Sequence, residues 1–93
     1  MLEKYLNKLL KNKNYSFDLM KINYIKENDD FYVVYFIRDV ESIGLPLTYK
    51  INKSNGENEA VFLPDENDFK FLKEFENCDF VNIPGKFKGK YFR

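Results

Sequence analysis

The sequence predicts an α+β fold: a two-layer sandwich with an N-terminal helix packed on an antiparallel meander of four to five strands, and a second helix near residues 65–77. Three observations carry this reading. Leu2, Tyr5, Leu6, Leu9 and Leu10 recur at the spacing of a single helical face. Residues 31–38, FYVVYFIR, are aromatic and β-branched throughout, as a strand prefers. Asn55-Gly56 stands between two alternating runs, the strongest short-range signal of a hairpin.

The elements follow in order. The first helix covers residues 2–11, with Glu3 early and Lys8 and Lys11 late, as the macrodipole prefers. Asn12-Lys13-Asn14 ends it. Residues 15–26 alternate like a strand, but Tyr15, Phe17 and Leu19 share one parity and Met20, Ile22 and Tyr24 the other. Strand side chains alternate strictly between faces, so the change near Leu19-Met20 predicts a bulge or bend. Glu27-Asn28-Asp29-Asp30 is the turn into strand 31–38. That strand is apolar on both parities, which implies either that both faces are covered or that one is left for a partner. After the connector 39–44, Leu45, Leu47, Tyr49 and Ile51 alternate inward against Thr48, Lys50 and Asn52 outward. Strand 58–63 follows the Asn55-Gly56 turn, which is expected to be type I′, with φ > 0 at both positions.

Pro64 stops that strand. Asp65 is placed to cap the second helix, with Asp68 three residues on in an imperfect capping box. Phe69, Leu72, Phe75 and Phe71 supply its apolar side, and Asn77 its end. Residues 79–83 form a last short strand. Pro84-Gly85 turns the chain into KFKGKYFR. Leu6, Leu9, Val33, Tyr35, Leu47, Tyr49 and Leu72 are the expected core.

Ninety-three residues form one domain, 1–93. A chain of this length buries roughly 60–68% of the surface its unfolded form exposes, enough for one thin core. Ten Phe and seven Tyr with no Trp mean that a few large rings fill it. The chain has no His, the usual general base and commonest metal ligand near neutral pH. Its one Cys, Cys78, allows neither an intrachain disulfide nor a cysteine metal cluster, and a lone thiol suits a reducing, cytoplasmic setting. The N-terminal segment is too charged for a signal peptide, and no apolar run reaches the roughly 18 residues of a membrane span.

These absences narrow the chemistry. No His can activate Ser42, Ser54 or Cys78, and Cys78 follows a helix C-terminus, the wrong end to stabilise a thiolate. Asp65, Glu66 and Asp68 cluster, yet lack the spacing, the Gly and the terminal Glu of a calcium loop; they read more simply as a helix N-terminus favoured by the macrodipole. No glycine-rich phosphate loop is present. The expectation is a protein that is not an enzyme and needs no cofactor or metal.

Charge points instead to a surface. Basic and acidic residues balance at 15 each, but residues 57–79 hold eight acids against Lys70 and Lys73, while residues 86–93 hold Lys86, Lys88, Lys90 and Arg93 with no acid. An even total argues against general nucleic-acid binding, whose affinity rests on phosphate neutralisation. A local acidic patch can steer a protein partner. The candidate contacts are Glu57, Glu59, Asp65, Glu66 and Asp68 for steering, Tyr32 and Phe36 on the aromatic strand, and Lys53 and Asn55 at the hairpin tip. The tail admits two readings. Phe87, Tyr91 and Phe92 could stack on single-stranded bases while Lys86 and Lys88 meet phosphate. Alternatively it is a further β element, with rings inward and lysines guarding an edge.

The block from Phe31 to Leu63, with GLPLTYKINKSNGENEAVFL at its centre, resembles small bacterial polymorphic-toxin immunity proteins, particularly the YrhB-like family. There a helix precedes an aromatic strand, a strand opening with Pro, a turn written roughly v-d-k-x-T-G-e, and a closing strand. Asn52 stands where the family tends to have Asp, Asn55 where it tends to have Thr, and the helix at 65–77 and the basic tail are additions. The resemblance implies a cytoplasmic inhibitor that neutralises a toxin by surface complementarity; it carries over no binding residue. A phage-encoded inhibitor of a bacterial defence nuclease is the alternative setting for the same mechanism, and single-strand binding through the tail is the third reading.

Overall fold

The computed structural model describes residues 1–39, 46–62 and 64–92. Among them the elements are α1 (Leu2–Leu10), β1 (Met20–Glu27), β2 (Phe31–Arg38), β3 (Thr48–Asn52), β4 (Asn58–Ala60), α2 (Glu66–Lys73) and β5 (Asp79–Val81). The strands form one antiparallel sheet in the order β4-β3-β2-β1-β5. The α+β class and the meander are as the sequence predicts. The chain returns after α2 to add β5 on the far edge, beside β1.

The register sorts the strands into two faces. Ala60, Tyr49, Val34, Ile25 and Val81 pair across one row, and Glu59, Lys50, Val33, Lys26 and Phe80 across the next. Neighbouring rows point to opposite faces. The first face takes α1: Tyr5, Leu6 and Leu9 join Met20, Ile22, Ile25, Val34, Phe36, Tyr49 and Ile51 in one buried cluster. The second takes α2, whose Phe71 meets Phe31 edge-on at 5.2 Å and, with Phe75, covers the region of Val33. The second helix therefore starts a partial third layer. Lys26 fixes its end by donating to the carbonyls of Phe75 and Glu76 at 3.1 and 3.2 Å.

Residues 15–19 are not strand. Leu19 takes φ 63°, a left-handed conformation that costs a Cβ-bearing residue roughly 1–2 kcal/mol, and so makes the bend that the parity change predicts. A separate bulge lies between Ile22 and Tyr24. It moves Tyr24 to the face opposite Ile22, where the sequence pattern had put both together, and Ile25 replaces it in the core.

The β3–β4 hairpin is present, but its turn is not type I′. The Gly56 amide donates to the Asn52 carbonyl at 2.7 Å, and the Asn52 amide to the Glu57 carbonyl at 2.8 Å. The loop is thus four residues, 53–56, and only Gly56 is left-handed, at φ 74°. Side chains hold this wider loop: Asn52 Oδ1 accepts from the Ser54 amide at 2.8 Å, and Asn55 Oδ1 from the Glu57 amide at 2.9 Å. Gly56 is also required by space, since a Cβ there would come within 2.5 Å of Tyr5 Cε1.

Of the expected core, Leu6, Leu9, Val33 and Tyr49 are buried. Tyr35 and Leu72 are half-buried, because α2 covers only part of its face. Leu47 is exposed: it lies just before β3, although its carbonyl still accepts from the Phe36 amide at 2.8 Å. Leu45 and Leu63 lie outside the described residues.

Candidate protein-binding surface

The corner where β4 hands over to α2 is built by local hydrogen bonding. Val61 still pairs with Thr48, its amide 2.8 Å from the Thr48 carbonyl. Asp65 caps α2, its Oδ1 accepting from the amides of Asn67 and Asp68 at 2.9 and 3.2 Å. Asp68 does not complete a capping box. Its Oδ2 accepts instead from the Phe62 amide at 2.8 Å, tying the incoming chain to the helix's first turn.

This bracing leaves two rings outside. Phe62 is 49% exposed and Phe69 50%. The apolar side of α2 is therefore Phe71, Leu72 and Phe75, with Phe69 turned away from it. Between Phe62 and Phe69 in the chain lie Asp65, Asp68 and the exposed Glu66, which pairs loosely with Lys70 at 3.7 Å. Lys73 lies over the Phe69 ring at 5.6 Å. Large apolar side chains rimmed by charge are the usual composition of a protein contact.

The other candidate contacts are dispersed. Glu59 projects from the α2 side of β4 and pairs with Lys50 at 3.6 Å. Glu57 and Asn55 are exposed at the hairpin tip. Lys53 is a structural node: its Nζ lies 2.5 Å from Glu27 Oε1 and 4.6 Å from the Tyr32 ring centre, and its carbonyl accepts from Tyr5 Oη at 3.0 Å. Tyr32 is half-buried beneath it. Phe36 is a correction, since at 3% exposure it is a core residue of the α1 face and offers no surface.

The tail is corrected in the same way. Phe87 is 3% exposed and belongs to the main core, held by a turn in which its amide donates to the Pro84 carbonyl at 2.9 Å. Phe92 packs on that core and pairs with the start of β1: its amide donates to the Met20 carbonyl and its carbonyl accepts from the Leu19 amide, both at 2.8 Å. Only Tyr91 stays exposed among the three rings, under Lys21 at 4.9 Å. Lys86 and Lys88 face solvent. The segment is a turn and an irregular return rather than the further β element expected, with Phe87 and Phe92 inward, Tyr91 outward and the lysines in solvent.

One grouping is not evident in the linear sequence. Pairing of Glu27 with Asp79 brings the β1–β2 turn beside the entry to β5. Lys53 then lies between two shallow depressions, one lined by Asp29 and Asp30, the other by Glu27, Asp29 and Asp79. The signal was the acid-rich turn ENDD, whose neighbours only the strand register reveals. Among the described residues no group of three or more Asp, Glu, Cys or His could hold a metal ion, and no helix is long and apolar enough to cross a membrane. Comparison with family models, with curated proteins and with solved structures finds no match for this chain.

Proposed function

We propose that this protein is a non-enzymatic inhibitor that works by binding another protein, in the manner of an immunity protein that neutralises a toxin. The observation that supports it most is the acidic corner at Phe62 and Phe69, where two rings are half in solvent among Asp65, Glu66 and Asp68. Burying the exposed half of each ring supplies anchor energy, on the order of 1 kcal/mol each. The acids steer a basic partner and discriminate against others. Glu57 and Glu59 extend the acidic side along β4, and the resemblance of residues 31–63 to immunity proteins supports the same reading. A phage inhibitor of a defence nuclease would use the same surface.

The test is affinity capture of partners from the native host, followed by mass spectrometry and a purified binding titration. The wild-type chain should retain a basic protein in a defined complex. Phe62→Ala with Phe69→Ala should raise Kd at least tenfold, and Glu57, Glu59 and Glu66 reversed to Lys should slow association and flatten its salt dependence. A captured toxin favours the immunity setting and a nuclease the phage setting. Tight binding of the free chain to single-stranded DNA or RNA at physiological salt, with no protein retained, would overturn the proposal.

A further inference from the structure

The two edges of the sheet are finished differently. On β4 a neighbouring segment caps the edge: the Ala60 amide donates to Tyr15 Oη at 3.1 Å, and the Asn58 side chain is held by Asn12, whose Nδ2 donates to Asn58 Oδ1 at 2.7 Å. On β5 the outward groups have no partner among the described residues. The Asn28 amide donates to the Phe31 carbonyl at 3.0 Å, so Asn28 and, by alternation, Lys26 turn their backbone groups toward β2. Ile25 and Glu27 then turn theirs toward β5, where they meet Val81 and Asp79. The amide and carbonyl of Phe80, between those two, point away from the sheet. The Phe80 side chain is 68% exposed. It ends an aromatic row on the α2 face, meeting Tyr24 edge-on at 5.5 Å, while Tyr24 stacks on Tyr35 at 4.3 Å.

This edge also carries an electrical direction. Glu74, Glu76 and Asp79 precede Phe80 at one end, near the β1–β2 turn. Lys86, Lys88 and Lys90 follow it toward the end where Phe92 joins Met20. A strand that fits carries the opposite charge at each end, and a second copy of the same edge, turned about a two-fold axis so that it runs antiparallel, has that distribution.

We propose that the β5 edge of this chain pairs antiparallel with the β5 edge of a second copy, joining two sheets about Phe80. Each Phe80 amide meets the other copy's Phe80 carbonyl, the two rings become cross-strand neighbours, and acids of each copy lie against lysines of the other. The strand is three residues long, so the dimer is weak and forms at micromolar concentration. The surface is separate from the Phe62–Phe69 corner, and either can fail without the other.

Sedimentation velocity from low to high micromolar tests this on the full chain. A monomer–dimer equilibrium that weakens with added salt is expected. Phe80→Ala should weaken it about tenfold or more, the loss of one aromatic contact per copy. Phe80→Pro should abolish it while sparing the β1–β5 ladder, because the amide it removes points outward. Should that variant not fold, exchange of the wild-type Phe80 amide serves instead, and it should slow as concentration rises. A wild type that stays monomeric, a dimer indifferent to both substitutions, or an amide whose exchange ignores concentration would overturn the proposal. So would a monomer whose Phe80 amide is protected only when a foreign protein is added, which would assign the edge to that partner's strand.

Discussion

The two faces of the sheet carry helices of almost equal length, nine residues in α1 and eight in α2, yet one face is sealed and the other half open. On the α1 face the helix is only part of the cover. Phe17, from the segment before β1, and Phe87, from the tail, complete a cluster in which Leu6, Leu9, Ile25 and Tyr49 are all buried. Among the described residues no such segment reaches the α2 face, where Val33 and Phe75 are buried but Tyr24 and Tyr35 are half-covered and Phe80 is open. Closure here depends on irregular segments that fold back, and the face without them keeps aromatic surface available for contacts.

Substitutions in the α1 cover should be costliest. Phe87→Ala should destabilise by about 3–5 kcal/mol, a large part of a small domain's stability, while Tyr91→Ala, four residues on, should stay within about 0.5 kcal/mol. Equal, small losses in urea would show that the tail does not seal the core. Between the helices, Leu9→Ala should cost about 2–5 kcal/mol. Leu72→Ala, at a half-buried site, should cost about 1 kcal/mol, the centre of the range for point mutants. A reversal of that order in chemical denaturation would exchange the roles of the two faces.

Gly56→Val sharpens the comparison at the hairpin tip. The left-handed backbone alone costs a valine roughly 1–2 kcal/mol, and contact with Tyr5 adds to it. Thermal melts should show the penalty shrink in a Tyr5→Ala background, a coupling that two independent sites would lack. The smallest effect is a pH dependence. Burial, with Tyr15 beside it, pushes the Tyr49 hydroxyl up to about 12, and burial beside Tyr24 does the same for Tyr35. In the unfolded chain tyrosine titrates near about 10. The folded state favours the neutral form, so its advantage is complete below pH ~10 and is lost as pH rises toward ~12. Melting temperature should fall through that window, and Tyr49→Phe should reduce the slope.

Much of the fold was legible because hydrophobic period and turn chemistry agree locally. α1, β2 and the β3–β4 hairpin are set by leucine spacing, by FYVVYFIR and by Gly56. What local pattern could not carry is long-range. The bulge that turns Tyr24 away from Ile22 depends on β2 as partner, and the turn at Gly56 is shaped by a tyrosine 51 positions earlier. The candidate surface was legible as composition, an acidic stretch from 57 to 79, but not as geometry. Hydrogen bonds employ Asp65 and Asp68 in bracing α2, and burial removes Phe36 and Phe87 from the surface. The rings that remain exposed within that stretch, Phe62 and Phe69, carry no sequence mark distinguishing them from Phe71 and Phe75.

The central claim is that the α1 face holds the fold together while the acidic aromatic corner is left free to bind. The free energy of unfolding of the Phe62→Ala, Phe69→Ala double variant, from urea titration, tests it most directly. If the corner is free surface, the double variant stays within about 0.5 kcal/mol of the wild type, as substitutions outside core, caps and strain do. A loss of about 3 kcal/mol or more, the scale of a buried aromatic cut to alanine, would place both rings in a core and contradict the account.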